Sequence, residues 1–141
     1  MSPKVFDSLS DKAKTKYADT LIAPGNVFYL RIDDKQKYVV LIGKARDTQA
    51  VGIIFINTES YISGNEVVLS VEKNRYLKYQ SYLDCSEVKP VELKYLIAEI
   101  KRNASCCVGK LSDEDWARAH HLLSKSPVMS RKLKKRYGLS N

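Results

Sequence analysis

The chain has 141 residues, 44% of them hydrophobic and 28% charged, with a formal net charge of +8. This is enough chain for one domain with a real core, and the balance excludes an intrinsically disordered polymer. No apolar run approaches the ~20 residues of a membrane-spanning helix. The opening MSPKVFDSLSDK has no apolar secretory core, so a cytoplasmic protein without a membrane partner is expected.

In chain order, Phe6, Leu9, Ala13 and Tyr17 recur at steps of three and four, which predicts a short opening helix over residues 8–18, capped by Ser8 or Ser10. Pro24-Gly25 marks a turn. A β-rich region follows, with predicted strands Val27–Ile32, Lys37–Ile42, Gly52–Asn57 and Glu66–Val71. Asp33-Asp34 supplies the first turn, Gly43 ends the second strand or permits a bulge, and Ser63-Gly64-Asn65 forms a later turn. Residues 44–50 are polar and read as a loop or wide hairpin. No helix long enough for a parallel crossover lies between residues 27 and 71, so an antiparallel sheet or small barrel is predicted.

Tyr82–Cys85 adds a short strand, and Pro90 suits the first turn of a helix carrying Leu93, Leu96, Ile97 and Ile100 on one stripe. Ser112 caps the next helix, with Asp115 completing a capping-box pattern and Leu111 stapled on Trp116. Trp116, Ala119, His120 and Leu123 share its apolar face. A last short helix runs from Pro127 to Tyr137 and stops at Gly138. The expected architecture is a single α+β domain, 1–141, with a barrel over about 24–86 and C-terminal helices over about 90–137.

Cys85, Cys106 and Cys107 are odd in number, and with His120 and His121 they match no familiar zinc spacing. Buried thiols, and no metal or cofactor, are expected. No phosphate loop, dinucleotide fingerprint or hydrolase motif is present. The charge is uneven, however. From Lys125 onward the sequence holds six basic side chains (Lys125, Arg131, Lys132, Lys134, Lys135 and Arg136) and no acidic one. Such a density attracts an anionic polymer or an acidic protein, and a solvated helix face has the same composition.

Metal-independent RNA cleavage needs a base for the 2′-hydroxyl, a cation for the phosphorane and a donor for the leaving oxygen. Arg31, Lys35, Lys37, Lys44 and Arg46 surround the first hairpin and the loop after it, while Thr58 and Glu59 close the third strand. These residues read either as a shallow site or as polar groups that keep sheet edges soluble. Tyr76, Tyr79 and Tyr82 alternate with Arg75, Lys78 and Gln80. The pattern suits a stacking surface for single-stranded nucleic acid, and equally tyrosines that brace the sheet against the helices.

The segments PGNV, KQKYVVLIG, IIFINTES, SYLDCSEV and VGKLSDEDW follow one another in a layout that resembles the PemK/MazF-like toxin family, over roughly Pro24 to Lys125. The resemblance implies an SH3-like β-barrel with appended helices. It also implies a metal-independent endoribonuclease, a homodimer and inhibition by an antitoxin. The family's Arg-Pro at the start of the second strand falls at Lys37-Tyr38, and its Thr-Ser-like close of the third strand falls at Thr58-Glu59. A lysine is a point charge and does not reproduce an arginine's two-pronged fork.

On this reading Lys37 and Arg46 hold phosphate and transition-state charge, Thr58 positions the scissile phosphate and Glu59 is the base. Arg31, Lys35, Lys44, Tyr76, Lys78, Arg131, Lys132, Lys134 and Lys135 contact single-stranded RNA, and an acidic antitoxin lies against the C-terminal basic segment. A catalytically inactive barrel that binds nucleic acid or protein is the alternative, and a small adaptor docking an acidic protein is a third.

Overall fold

A computed structural model describes residues 2–61 and 64–139, and Ser63 of the predicted Ser63–Asn65 turn lies outside them. The chain is an α+β domain, a curled antiparallel sheet clothed by helices. Its elements are α1 (Pro3–Asp7), α2 (Asp11–Leu21), β1 (Asn26–Ile32), β2 (Lys35–Lys44), β3 (Ala50–Asn57), β4 (Glu66–Leu69), β5 (Ser81–Asp84), β6 (Lys89–Glu92), α3 (Leu93–Arg102), a 3₁₀ turn (Ala104–Cys106), β7 (Cys107–Lys110), α4 (Asp113–Lys125) and α5 (Arg131–Arg136). Neighbours run β4-β5-β3-β2-β1-β7, so β4 and β7 are edges and the sheet is a half-barrel.

The β1–β2 hairpin has a two-residue loop, with Ile32 paired to Lys35 and both Asp33 (φ 50°) and Asp34 (φ 64°) in the left-handed region. That backbone matches the twist of the flanking strands, and aspartate tolerates it better than most side chains. Between Leu41 and Gly43 the β2–β3 register shifts by a bulge, as Gly43 suggested. β3 is flanked on its other side by two short strands in succession. β6 pairs with its first half (Ala50↔Glu92 to Ile53↔Lys89) and β5 with its end (Ile56↔Leu83, Asn57↔Tyr82).

Both faces of the central strands are covered. On the inner face, Val27, Val40, Ile42, Ile54 and Ile56 pack with Leu83, Ala119 and Leu123, and with Met129, Tyr137 and Leu139 from the C-terminal segment. On the outer face, Phe28, Leu30, Val39, Leu41, Val51 and Ile53 pack with Ala18 and Ile22 of the α2 region and Leu96 and Ile100 of α3. Double burial explains why YVVLI and IIFI are unbroken apolar runs instead of alternating ones. Each such side chain contributes about 1.5–3 kcal/mol through removal from water. Gly52 is obligatory in this packing, since a Cβ there would sit 2.5 Å from Val88 and 2.8 Å from the Tyr137 ring.

Several boundaries differ from expectation. The opening helix is two helices, with Ser10 Oγ capping α2 by accepting the Ala13 N–H. Phe6 sits in α1 and its ring meets Tyr17 of α2 at 5.6 Å. Pro90 begins no helix. It lies in β6 opposite Gly52, and the helix starts at Leu93. A proline is compatible with such a short flanking strand where its missing N–H faces away from the ladder. β7 was not anticipated, so the C-terminal third is not purely helical. The Ser112 cap stands as expected, its Oγ accepting the Asp115 N–H at 3.1 Å. The last helix is shorter than predicted, beginning after the Ser130 cap.

Candidate nucleic-acid interface

The site residues expected from sequence fall at two ends of the sheet, separated by the length of β2. At the hairpin end, Arg31 and Lys35 are exposed and Lys37 is half-buried. Strand alternation puts Lys37 on the outer face with Val39 and Leu41, and its Nζ lies 4.6 Å from the Phe55 ring centroid. Such a contact holds the ammonium over the ring's negative face. Because Tyr38 pairs with Ile56, the segment leaving β3 emerges at this same end, and Thr58 and Glu59 are exposed there. The following residues are tied back, Ser60 Oγ and the Tyr61 N–H donating to the two oxygens of Glu66.

Arg46 lies beyond the other end of β2. Seven steps of strand run from Lys37 to Lys44, about 23 Å at ~3.3 Å per residue, and Arg46 follows in the loop. Its backbone N–H donates to the Arg136 carbonyl at 3.2 Å. The four residues read from sequence as one centre therefore divide, with Lys37, Thr58 and Glu59 at the hairpin end of the sheet and Arg46 at the other. The reason is that β2 runs for ten residues through the bulge without turning back. Lys44 shares Arg46's end and is ion-paired to Asp19 at 2.9 Å.

Tyr76 is a bracing residue. Its ring lies 5.5 Å from that of Tyr38, its hydroxyl donates to Asn74 Oδ1 at 3.1 Å, and its carbonyl accepts from the Tyr38 hydroxyl at 3.2 Å. The ring rests where a Gly109 side chain would be, a Cβ there meeting Tyr76 at 2.9 Å. Burial, then the negative charge of Asp115 and the neighbouring Tyr38, hold its hydroxyl far above the ordinary tyrosine range. Lys78 is exposed beside it. Sequence reasoning did not connect Tyr29 with this cluster, although FYLRI alternates plainly. Tyr29 pairs with Tyr38 across the hairpin, their rings 4.5 Å apart.

The C-terminal cations line a groove of about 850 Å³ between the end of α4 and α5, formed by Lys125, Arg131, Lys134 and Lys135 with Ser124, Ser126 and Met129. Lys132 is exposed on the same helix. Among the described residues none of these five cations has a carboxylate within ion-pair distance, whereas Arg136 pairs with Asp47 at 2.9 Å. Four positive charges around one groove, with a fifth on the same helix, suit a polyanion.

The cysteines are ill suited to nucleophilic work. Burial, then Asp84, pushes the Cys85 thiol up to about 12, and burial, then Cys107, pushes Cys106 up to about 11. His120 is half-buried with its ring 6.1 Å from Trp116. Among the described residues no three His, Cys, Asp or Glu side chains gather as a metal-ligand set. No described helix is long and apolar enough to cross a membrane. No family model matches the chain, and no curated protein matches it.

Proposed function

We propose that this chain is a PemK/MazF-like barrel that binds single-stranded RNA and cleaves it without a metal ion at the hairpin end of its sheet. The observation that carries this reading is the Tyr38–Ile56 pairing, which brings the start of β2 beside the exit of β3. Lys37 then supplies positive charge to the phosphorane, the Thr58 hydroxyl donates to a phosphate oxygen, and Glu59 takes the 2′-hydroxyl proton. The 2′-oxygen bonds to phosphorus, the bond to the 5′-oxygen breaks, and that oxygen is protonated from solvent. A 2′,3′-cyclic phosphate and a 5′-hydroxyl result. Arg46 has no part in this centre. The free cations beside α5 are the docking surface for more distant RNA or for an acidic antitoxin-like protein, and the working form is a homodimer.

A second reading, RNA binding without cleavage, is favoured by the Lys37 ammonium resting against the Phe55 ring instead of projecting into solvent. One experiment separates the two. Long unstructured RNA is incubated in EDTA with the wild type and with Lys37→Ala/Thr58→Ala. Discrete fragments from the wild type alone support cleavage at the hairpin end. Intact RNA that is nevertheless retained, with affinity falling steeply as salt rises, supports the binding module.

A further inference from the structure

At the hairpin end the inner face of the sheet carries three tyrosine rings in series. Tyr76 sits against Gly109. Tyr38 lies 5.5 Å from it, and Tyr29 lies 4.5 Å from Tyr38. Tyr76 and Tyr38 are half-buried, whereas Tyr29 is 41% exposed, one of the most exposed large hydrophobic side chains on the described strands. A tyrosine fixed from behind by two others loses little conformational freedom when something stacks on it.

The surroundings are polar and basic. Two residues further along β1, on the same face as Tyr29, is Arg31, exposed and paired across the hairpin with Gln36. The backbone beneath Arg31 is fixed, because its carbonyl accepts a hydrogen bond from the Tyr95 hydroxyl. Among the described residues no carboxylate is within ion-pair distance of Arg31, and Lys35 projects from the end of the same hairpin. Asp33 and Asp34 are the acidic groups nearest in sequence, and they occupy the turn itself.

We infer that Tyr29 and Arg31 form a one-nucleotide subsite for single-stranded RNA, in which a base stacks on the Tyr29 ring and the adjoining phosphate meets the Arg31 guanidinium. The spacing suits this pairing, since two residues of a strand span about 7 Å. A planar base and a phosphate together are what an exposed aromatic beside an unpaired arginine recognises, and the chain's charge of +8 favours an anionic strand over an acidic or neutral peptide of mixed sequence. Gln36 lies opposite Arg31 with an amide able to reach a base edge. The subsite rests on the RNA-binding reading above and deepens it, because it names a nucleotide contact on the face of the hairpin opposite to Lys37.

The test is fluorescence anisotropy of a labelled, unstructured 2′-O-methyl RNA oligonucleotide, which has no 2′-hydroxyl through which to be cut, with the 141-residue protein, each variant checked for folding by circular dichroism. Tyr29→Ala weakens binding by about 5- to 150-fold, the range for loss of one stacked base. Tyr29→Phe keeps affinity within about twofold, which a role for the hydroxyl would not allow. Arg31→Ala reduces the slope of log affinity against log salt by about 0.7, the value of one phosphate contact to a single strand. If the wild type binds RNA and Tyr29→Ala binds equally well, the subsite is wrong while the RNA-binding function stands. If the wild type binds no RNA at low salt, both are overturned together.

Discussion

The two ends of β2 carry comparable numbers of cations and use them differently. At the hairpin end, Arg31, Lys35 and Lys37 have no ion-pair partner among the described residues. At the loop end, Lys44 is held by Asp19, and Arg136 clasps Asp47 with two nitrogens while its carbonyl receives the Arg46 N–H. There the charges that touch the sheet fasten α2 to the end of β2 and the C-terminal segment to the β2–β3 loop, and the unpaired ones lie on α4 and α5. A count of basic residues gives the ends equal weight. Pairing separates a cation available to a phosphate from one already engaged.

The sharpest way to break this contrast is to exchange the ends in a cleavage assay. Lys37→Ala/Thr58→Ala should lower the rate by at least about 10²–10³-fold, the usual loss when a transition-state donor is removed. Arg46→Ala should leave it unchanged. Equal losses from both variants would erase the distinction. A smaller but still large effect belongs to the loop end's packing. Tyr137→Ala should destabilise the fold by about 3–5 kcal/mol in urea unfolding, because the ring fills the space above Gly52.

Next in size, Lys134→Ala/Lys135→Ala should reduce the salt slope of RNA binding by roughly one to one and a half units without abolishing cleavage. Asp47→Ala removes an exposed ion pair and should cost no more than about 1 kcal/mol. The smallest effect concerns acid. Hydrogen bonding to Arg102 holds the Glu99 carboxyl below its ordinary range. A carboxyl depressed on folding stabilises the protein above its unfolded pKa and loses that contribution as pH falls through the folded one. Unfolding midpoints should therefore fall in mild acid, and Glu99→Gln should flatten that decline.

The strands were legible because VVLI and IIFI are long enough for double burial to leave a composition signal, and the α4 cap was legible because Ser112 and the acids after it act locally. Pro90 misled because its fixed φ suits a helix start and a strand without its ladder hydrogen bond alike, and only the contact with Gly52 decides between them. CVGK has too little apolar alternation to announce β7, which exists through pairing with β1 some eighty residues earlier. At the site, Lys37 and Arg46 are close in sequence yet lie at opposite ends of a strand. Lys37 and Thr58 are more distant in sequence and share an end. Tyr29 was readable from strand alternation, but its value as a platform depends on Tyr76, supplied from far along the chain.

The seating of Tyr137 and Leu139 in the inner core bears on how the protein is made. On a ribosome, β1 to β3 emerge early with apolar side chains on both faces. The outer face is covered once α3 appears, while the inner one waits for residues close to the end of the described chain. A nascent chain stalled before α5 would leave the part of the inner core that Tyr137 and Leu139 fill open to neighbouring polypeptides, a condition that invites chaperone capture or aggregation. Cotranslational folding here is expected to complete one side of the sheet first and the other only after nearly the whole domain has left the exit tunnel.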